Sequence, residues 1–221
     1  MRIFFVFLYM SLTAGHAYSF DTNQRYSSSY SPAADLQYQS SVTDQRYREW
    51  QQLLDSKFDD SSEIDLIRRV NFFINRTDYV SDIEQFGVND HWASPREFIS
   101  SGQGDCEDYA IAKYFTLIEM GVPRHKLRLV YGLQSSRSVG HMVVLYDPES
   151  GGELMTLDNL SWSLTPISQR RDFKPIYSFD RTNLWFMRGW QLDSKSSKSL
   201  KAGKWQRIVD VWDLQQSELR G

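Results

Sequence analysis

The residues best suited to do chemistry lie together in Gly104-Asp105-Cys106-Glu107-Asp108, which holds the only cysteine of the chain. The turn Gly102-Gln103-Gly104 precedes the thiol and a helix-forming run follows it. Cys106 therefore sits at an expected helix start, where backbone amides carry partial positive charge and favour thiolate over thiol. The three flanking carboxylates oppose that effect. They raise the thiol pKa, so a nucleophile here benefits from a bound cation. A solitary cysteine is more often a small buried hydrophobe, and only these neighbours argue otherwise.

A thiolate nucleophile also needs a base and a group that orients the base. Of the 4 histidines, His16 lies near the N-terminus, His91 precedes Trp92 in a loop, and His125 stands between Arg124 and Lys126. His141 instead opens the apolar run Met142-Val143-Val144-Leu145, directly after Gly140. It is placed to face a helix terminus packed on that strand, although taken singly it reads equally as a core histidine. Asp158 follows the next short strand, Thr156-Leu157. Where the two strands pair, Asp158 can accept from His141 and fix its tautomer. By itself Asp158 is also an ordinary turn residue. The three together are far more specific than any one of them.

These groups need elements to hold them. Apolar residues recur at helical spacing over 42–58, and again in Ile64, Ile67, Val70, Phe72, Phe73 and Ile74. Asp59-Asp60-Ser61-Ser62 supplies the break and an N-cap between them. Ser94-Pro95-Arg96-Glu97 has the form of a capping box with proline in the first turn. The helix that carries the thiol runs from Cys106 to about Met120, with Ala110, Ile111, Tyr114, Leu117 and Ile118 on its apolar face. Gly121 and Pro123 stop it. Short β-forming runs follow at 127–133, 140–146, 153–157 and 183–188. Trp205, Ile208, Val209, Val211, Trp212 and Leu214 then mark a terminal amphipathic helix. Helices first and strands afterwards predict an α+β fold, with N-terminal helices packed on an antiparallel sheet in one domain over 41–221.

Composition sets the outer bounds. The chain has 221 residues, 41% of them hydrophobic, with 7 Trp, 12 Tyr and 13 Phe, enough to build a packed core. A formal charge of −3 gives no global basic field for nucleic acid. Arg2, the apolar residues 3–10 and the small residues of Ala14-Gly15-His16-Ala17 read as a secretory signal over 1–19, cut after Ala17 or Ser19. Its apolar run is too short to span a bilayer. The mature chain is expected to be exported and soluble, without membrane insertion. Residues 20–40, rich in Ser, Tyr, Asn and Gln, read as a mobile N-terminus.

Trp92-Ala93-Ser94-Pro95-Arg96-Glu97-Phe98, Gly104-Asp105-Cys106-Glu107-Asp108-Tyr109-Ala110, Gly140-His141-Met142-Val143 and Leu157-Asp158-Asn159 resemble the bacterial transglutaminase-like cysteine proteinases, in particular the LapG type. The resemblance implies a papain-like/transglutaminase-like fold. It implies Cys106 as nucleophile, His141 as general base and then acid, and Asp158 as its orienter. It implies Ca²⁺ dependence with Asp105 and Glu107 as ligands, to which Asp108 and Asp90 are added by proximity. Gln103 is a candidate second oxyanion donor beside the Cys106 amide. Trp92 and Trp162 are candidate walls of a groove for small residues.

The same resemblance implies a periplasmic endopeptidase that cuts a large surface adhesin near its N-terminus, at a site with two adjacent alanines, and so disperses biofilm. An inner-membrane receptor of the LapD type, responding to cyclic-di-GMP inside the cell, would sequester it through its periplasmic domain. Two other readings use the same residues. One is transglutaminase or amidase chemistry, since a thioester is common to all. The other is a non-catalytic, calcium-dependent binding module.

Overall fold

The computed structural model describes residues 32–56, 62–135, 138–149, 151–193, 198–199 and 203–220. The secretory segment 1–19 lies outside the described residues, as do 20–31 of the N-terminal segment and Asp59, Asp60 and Ser61 of the break. The first helix, α1 (Pro32–Asp55), begins earlier than the 42 expected, inside the segment read as a mobile N-terminus. Ser62 caps α2 (Glu63–Asn75), its hydroxyl accepting from the Asp65 amide at 3.3 Å. The short β1 (Asp78–Tyr79) and α3 (Asp82–Gln85) follow. Next come α4 (Pro95–Ser101), with the capping box of Ser94 and Glu97 formed, and β2 (Gln103–Gly104), parallel to β1. The thiol opens α5 (Cys106–Glu119), as expected.

Periodicity decides which faces are buried. In α2, Ile67, Val70, Asn71 and Ile74 share one side of the helix and pack inward. Phe72, expected on that side, falls opposite; it is 57% exposed and lies against Trp162, ring centroids 5.5 Å apart. Helix α5 is buried continuously from Asp108 to Leu117, including Lys113 and Thr116. It is thus a central strut rather than an amphipathic surface helix. Helices α2 and α4 pack on it, and the Trp50 indole of α1 donates to Thr116 Oγ1 at 3.0 Å. The terminal helix α6 (Gly203–Arg220) covers it with Trp205 and Trp212 against Phe115.

The other layer is an eight-stranded antiparallel sheet. Its strands are β3 (Leu127–Gln134), β4 (Val139–Tyr146), β5 (Met155–Leu157), β6 (Thr165–Pro166), β7 (Phe173–Phe179), β8 (Asn183–Arg188), β9 (Gln191–Leu192) and β10 (Lys198–Ser199). They run in the order β10-β8-β7-β3-β4-β5-β6, with β9 paired to β8. The sequence gives no sign of β7, because Pro175 within a run argues against an interior strand. The proline is accommodated opposite Gly132, where the β3–β7 register shifts. No described helix is long and apolar enough to cross a membrane.

Register and corners bring the chemistry together. Pairing of Val144 with Leu157 leaves Asp158, the first residue after β5, beside the start of β4 and His141. On the helical side, the corner into α5 depends on Gly104. A Cβ there would come within 2.6 Å of Asp108 Oδ2 and 2.7 Å of Phe98 Cδ2. Gly104→Ala is therefore expected to lower the unfolding free energy by about 1–3 kcal/mol through overpacking. Urea unfolding should show this as a lower midpoint at an unchanged m-value.

Candidate active site

Two elements, α5 and β4, meet at Cys106. The thiol is at the first position of α5, and the Met142 backbone amide of β4 hydrogen-bonds to it. His141, one residue earlier on β4, is buried, and its Nε2 lies 2.8 Å from Asp158 Oδ1. Asp158 is fixed further by the Leu160 amide at 2.9 Å on Oδ1 and by Arg170 Nη2 at 2.9 Å on Oδ2. Burial works against the Asp158 carboxylate, but the His141 hydrogen bond and charge, the Leu160 amide and Arg170 outweigh it. They hold its pKa below the usual range.

The loop after Asp158 is pinned from α2. Asn75 Nδ2 donates to the Asp158 and Ser161 carbonyls at 2.9 and 2.8 Å. Asn71 Nδ2 donates to the Ser161 and Trp162 carbonyls at 3.2 and 3.1 Å. This grip turns Trp162 toward Phe72 and away from the thiol, so Trp162 is not a wall of the site. The Gln103 backbone amide and carbonyl bond to Ser101 Oγ at 3.4 and 2.8 Å. A cavity of about 310 Å³ opens over Cys106, lined by Asp90, Trp92, Glu107, Tyr131, Gly140, Met142 and Tyr177. Trp92 is among its lining residues. Tyr131 and Tyr177, stacked at 4.9 Å, form a wall that sequence reasoning missed. Gly140 is required here, because the Tyr131 ring and hydroxyl occupy the space a Cβ would need.

Beneath the thiol the acids crowd. Cys106 Sγ donates to Glu107 Oε2 at 3.0 Å. Carboxylate oxygens of Asp82, Asp105 and Asp108 lie within 4.8 Å of one another, and so do those of Asp82, Asp90 and Glu107. Asp108 accepts from the Ala93 amide at 2.8 Å and the Asp105 amide at 3.2 Å, tying the loop before α4 to the start of α5. Asp90 is shared with Trp92 Nε1 at 3.0 Å and Lys204 Nζ at 2.5 Å. Asp82, which closes both groups, was not foreseen. An acid in the first turn of a short helix is ordinary, and nothing in the spacing ties it to Cys106.

Charge repulsion and desolvation leave clear marks. Burial, Glu107, Asp108 and Asp82 push Asp105 up to about 9. Asp108 rises to about 7, chiefly by burial and against the two amides it accepts from. Burial raises Asp82 as well, helped by Glu107. The Cys106 thiol is pushed far up by burial, then by Glu107 and Asp105. Among the described residues, Asp82 Oδ1 and Asp105 Oδ1 are buried without a hydrogen-bond donor. Hard oxygen donors, several of them buried and two unpartnered, suit a cation such as Ca²⁺. Asp105, Glu107, Asp90 and Asp108, all expected from sequence, belong to this cluster with Asp82.

The family model for bacterial transglutaminase-like cysteine proteinase matches residues 28–186. The chain belongs to this family. Cysteine proteinase chemistry accounts for a lone thiol at a helix start. Among solved structures, Legionella pneumophila LapG aligns over 82% of this chain and 97% of its own, at 36% identity and a TM-score of 0.64. Its calcium-bound form aligns over 83% and 99%, at 34% identity and a TM-score of 0.65. An EGTA-treated form gives 36% identity and a TM-score of 0.64. No curated protein matches the chain.

The raised carboxyls fix a pH dependence for the metal-free proteinase. A carboxyl whose folded pKa is raised makes the folded state hold protons that the unfolded state releases. Its stabilisation is full below the unfolded value of about 4. It is then lost as pH rises through about 7 for Asp108 and about 9 for Asp105. In chelator, calorimetric Tm is expected to fall over that window, and Asp105→Asn to flatten the fall. A Tm that rises over the window would show that the cluster does not govern stability.

Proposed function

We propose that this chain is an exported, calcium-dependent cysteine endopeptidase with Cys106, His141 and Asp158 as its reacting set. The buried 2.8 Å contact between His141 Nε2 and Asp158 Oδ1, on the strand whose Gly140 and Met142 line the cavity at Cys106, carries this reading. The substrate is a large surface adhesin, cut near its N-terminus at a two-alanine site, which releases it and disperses biofilm. The protease acts in the periplasm and is held there by the periplasmic domain of a LapD-type receptor. Trp92, Tyr131 and Tyr177 line the cavity at Cys106, in which the scissile bond would lie.

Asp82, Asp90, Asp105 and Glu107 would hold the ion, with Asp108 bracing them; the likeness to calcium-bound LapG supports this. Calcium, when bound, supplies positive charge that offsets these carboxylates and lets the thiolate form. With Nε2 engaged by Asp158, Nδ1 is the His141 nitrogen that accepts the thiol proton. The thiolate adds to the scissile carbonyl, and the Cys106 amide at the helix start donates to the developing oxyanion. His141 returns the proton to the departing amine as the C–N bond breaks, leaving a thioester. Water deprotonated by His141 then cleaves the thioester and restores the thiol.

An adhesin N-terminal fragment with two adjacent alanines, incubated with the mature protein and calcium, should yield one new terminus by mass spectrometry. Chelation and Cys106→Ala should each abolish the cut. Asp158→Asn should lower kcat by roughly 10²–10⁴-fold, with KM little changed. A cut that survives Cys106→Ala would defeat the proposal. An amine-transfer product in place of a new terminus would favour the acyl-transfer alternative.

A further inference from the structure

We propose that Arg170 is a positioning residue: a buried clamp that fixes the Asp158 carboxylate and, through it, the tautomer and aim of His141. This rests on the reading of Cys106, His141 and Asp158 given above. Arg170 follows the tight turn Ile167–Gln169, its amide donating to the Ile167 carbonyl at 3.1 Å. Its side chain is only 5% exposed and faces Asp158, which is 2% exposed, with Nη2 and Oδ2 2.9 Å apart. The two Asp158 oxygens are thereby divided. Oδ1 serves His141 and the Leu160 amide, while Oδ2 serves Arg170.

The guanidinium is itself held on several sides. Nη1 donates to Thr156 Oγ1 at 3.1 Å, two residues before Asp158 on β5. Nε and Nη2 donate to Asp172 Oδ1 and Oδ2 at 3.0 and 3.2 Å. Its plane lies over the Phe173 ring at 5.2 Å, and the same ring meets the edge of His141 at 6.0 Å. A planar fork gripped in this way sets a direction for the carboxylate, which a point charge does not. Lys113 of α5 also faces Asp158, but its fully buried Nζ has no hydrogen-bond partner among the described residues and acts by charge alone.

Stability alone does not call for this pair. Desolvation of a buried ion pair roughly offsets its attraction, and an apolar residue of similar size commonly serves as well. What only the fork provides is orientation. A carboxylate free to rotate would let the neutral imidazole populate both tautomers, and His141 would then present a protonated nitrogen to the thiol part of the time.

The test compares wild type, Arg170→Met and Arg170→Lys by two readouts. In ¹⁵N NMR at a pH where His141 is neutral, wild type is expected as the single Nε2–H tautomer, Arg170→Met as a mixture, and Arg170→Lys in between. With peptide substrate, Arg170→Met is expected to lose roughly 10- to 100-fold in kcat with KM little changed. A folded Arg170→Met with one His141 tautomer, or with wild-type kcat, overturns the proposal. The NMR comparison decides it even where no substrate is cut, so failure of the protease reading is seen separately. If Arg170→Met does not fold, Asp172→Asn, which loosens the same guanidinium, is read by the same spectrum: mixed tautomers support the clamp and a single tautomer refutes it.

Discussion

A half-buried thiol shares its corner with Asp82, Asp105, Glu107 and Asp108, and the cost of desolvating this acidic cluster governs the site. Burial is the first cause of the upward shift at Asp82, Asp105, Asp108 and Cys106 alike, and mutual repulsion adds to it. The partial positive charge at the start of α5 does not offset the burial of Cys106 and its repulsion by Glu107 and Asp105. Without a cation, the arrangement protects the thiol as a thiol. With one, the same carboxylates would serve as ligands, and the helix start would favour the thiolate. On the proposed reading, the acids beside Cys106 gate its nucleophilicity.

In the proposed reaction the two sets of residues come from different layers. The helical layer supplies the thiol and the acids, locked by the Asp108 bonds to two backbone amides and by the close approach at Gly104. The sheet supplies His141 and Asp158 through the pairing of β4 with β5. Helix α5 lies between them and is buried along most of its length, so its N-terminus has little freedom to move relative to β4. Asn71 and Asn75 cross the gap from α2 to hold the loop after Asp158. The site is a seam, and these bonds are its stitches.

Local chemistry made much of this legible in sequence. The cysteine block, the capping box at Ser94, the Gly-His opening of a strand and the carboxylate after the next one are each signalled by neighbours a few residues away. What was hidden depends on long-range placement. Asp82 looks like any acid at a helix start and becomes part of the cluster only through the parallel pairing of β1 with β2. Strand β7 was masked by Pro175, which only a register shift opposite Gly132 makes tolerable. Arg170 and Arg171 are adjacent and alike in sequence, yet only the first is buried. Tryptophan drew attention as a groove wall, but Tyr131 and Tyr177 line the cavity with Trp92, while Trp162 is turned outward with Phe72.

The most direct test of the cation gate needs no substrate. Cys106 is the only cysteine, so the rate of alkylation by iodoacetamide reports its thiolate fraction without ambiguity. At one fixed pH near neutrality, with the protein folded throughout, calcium is predicted to speed alkylation by about tenfold or more over chelator. Tenfold corresponds to a thiol pKa lowered by about one unit. Equal rates with and without calcium would contradict the account, because the carboxylates around Cys106 would then not be what sets its reactivity.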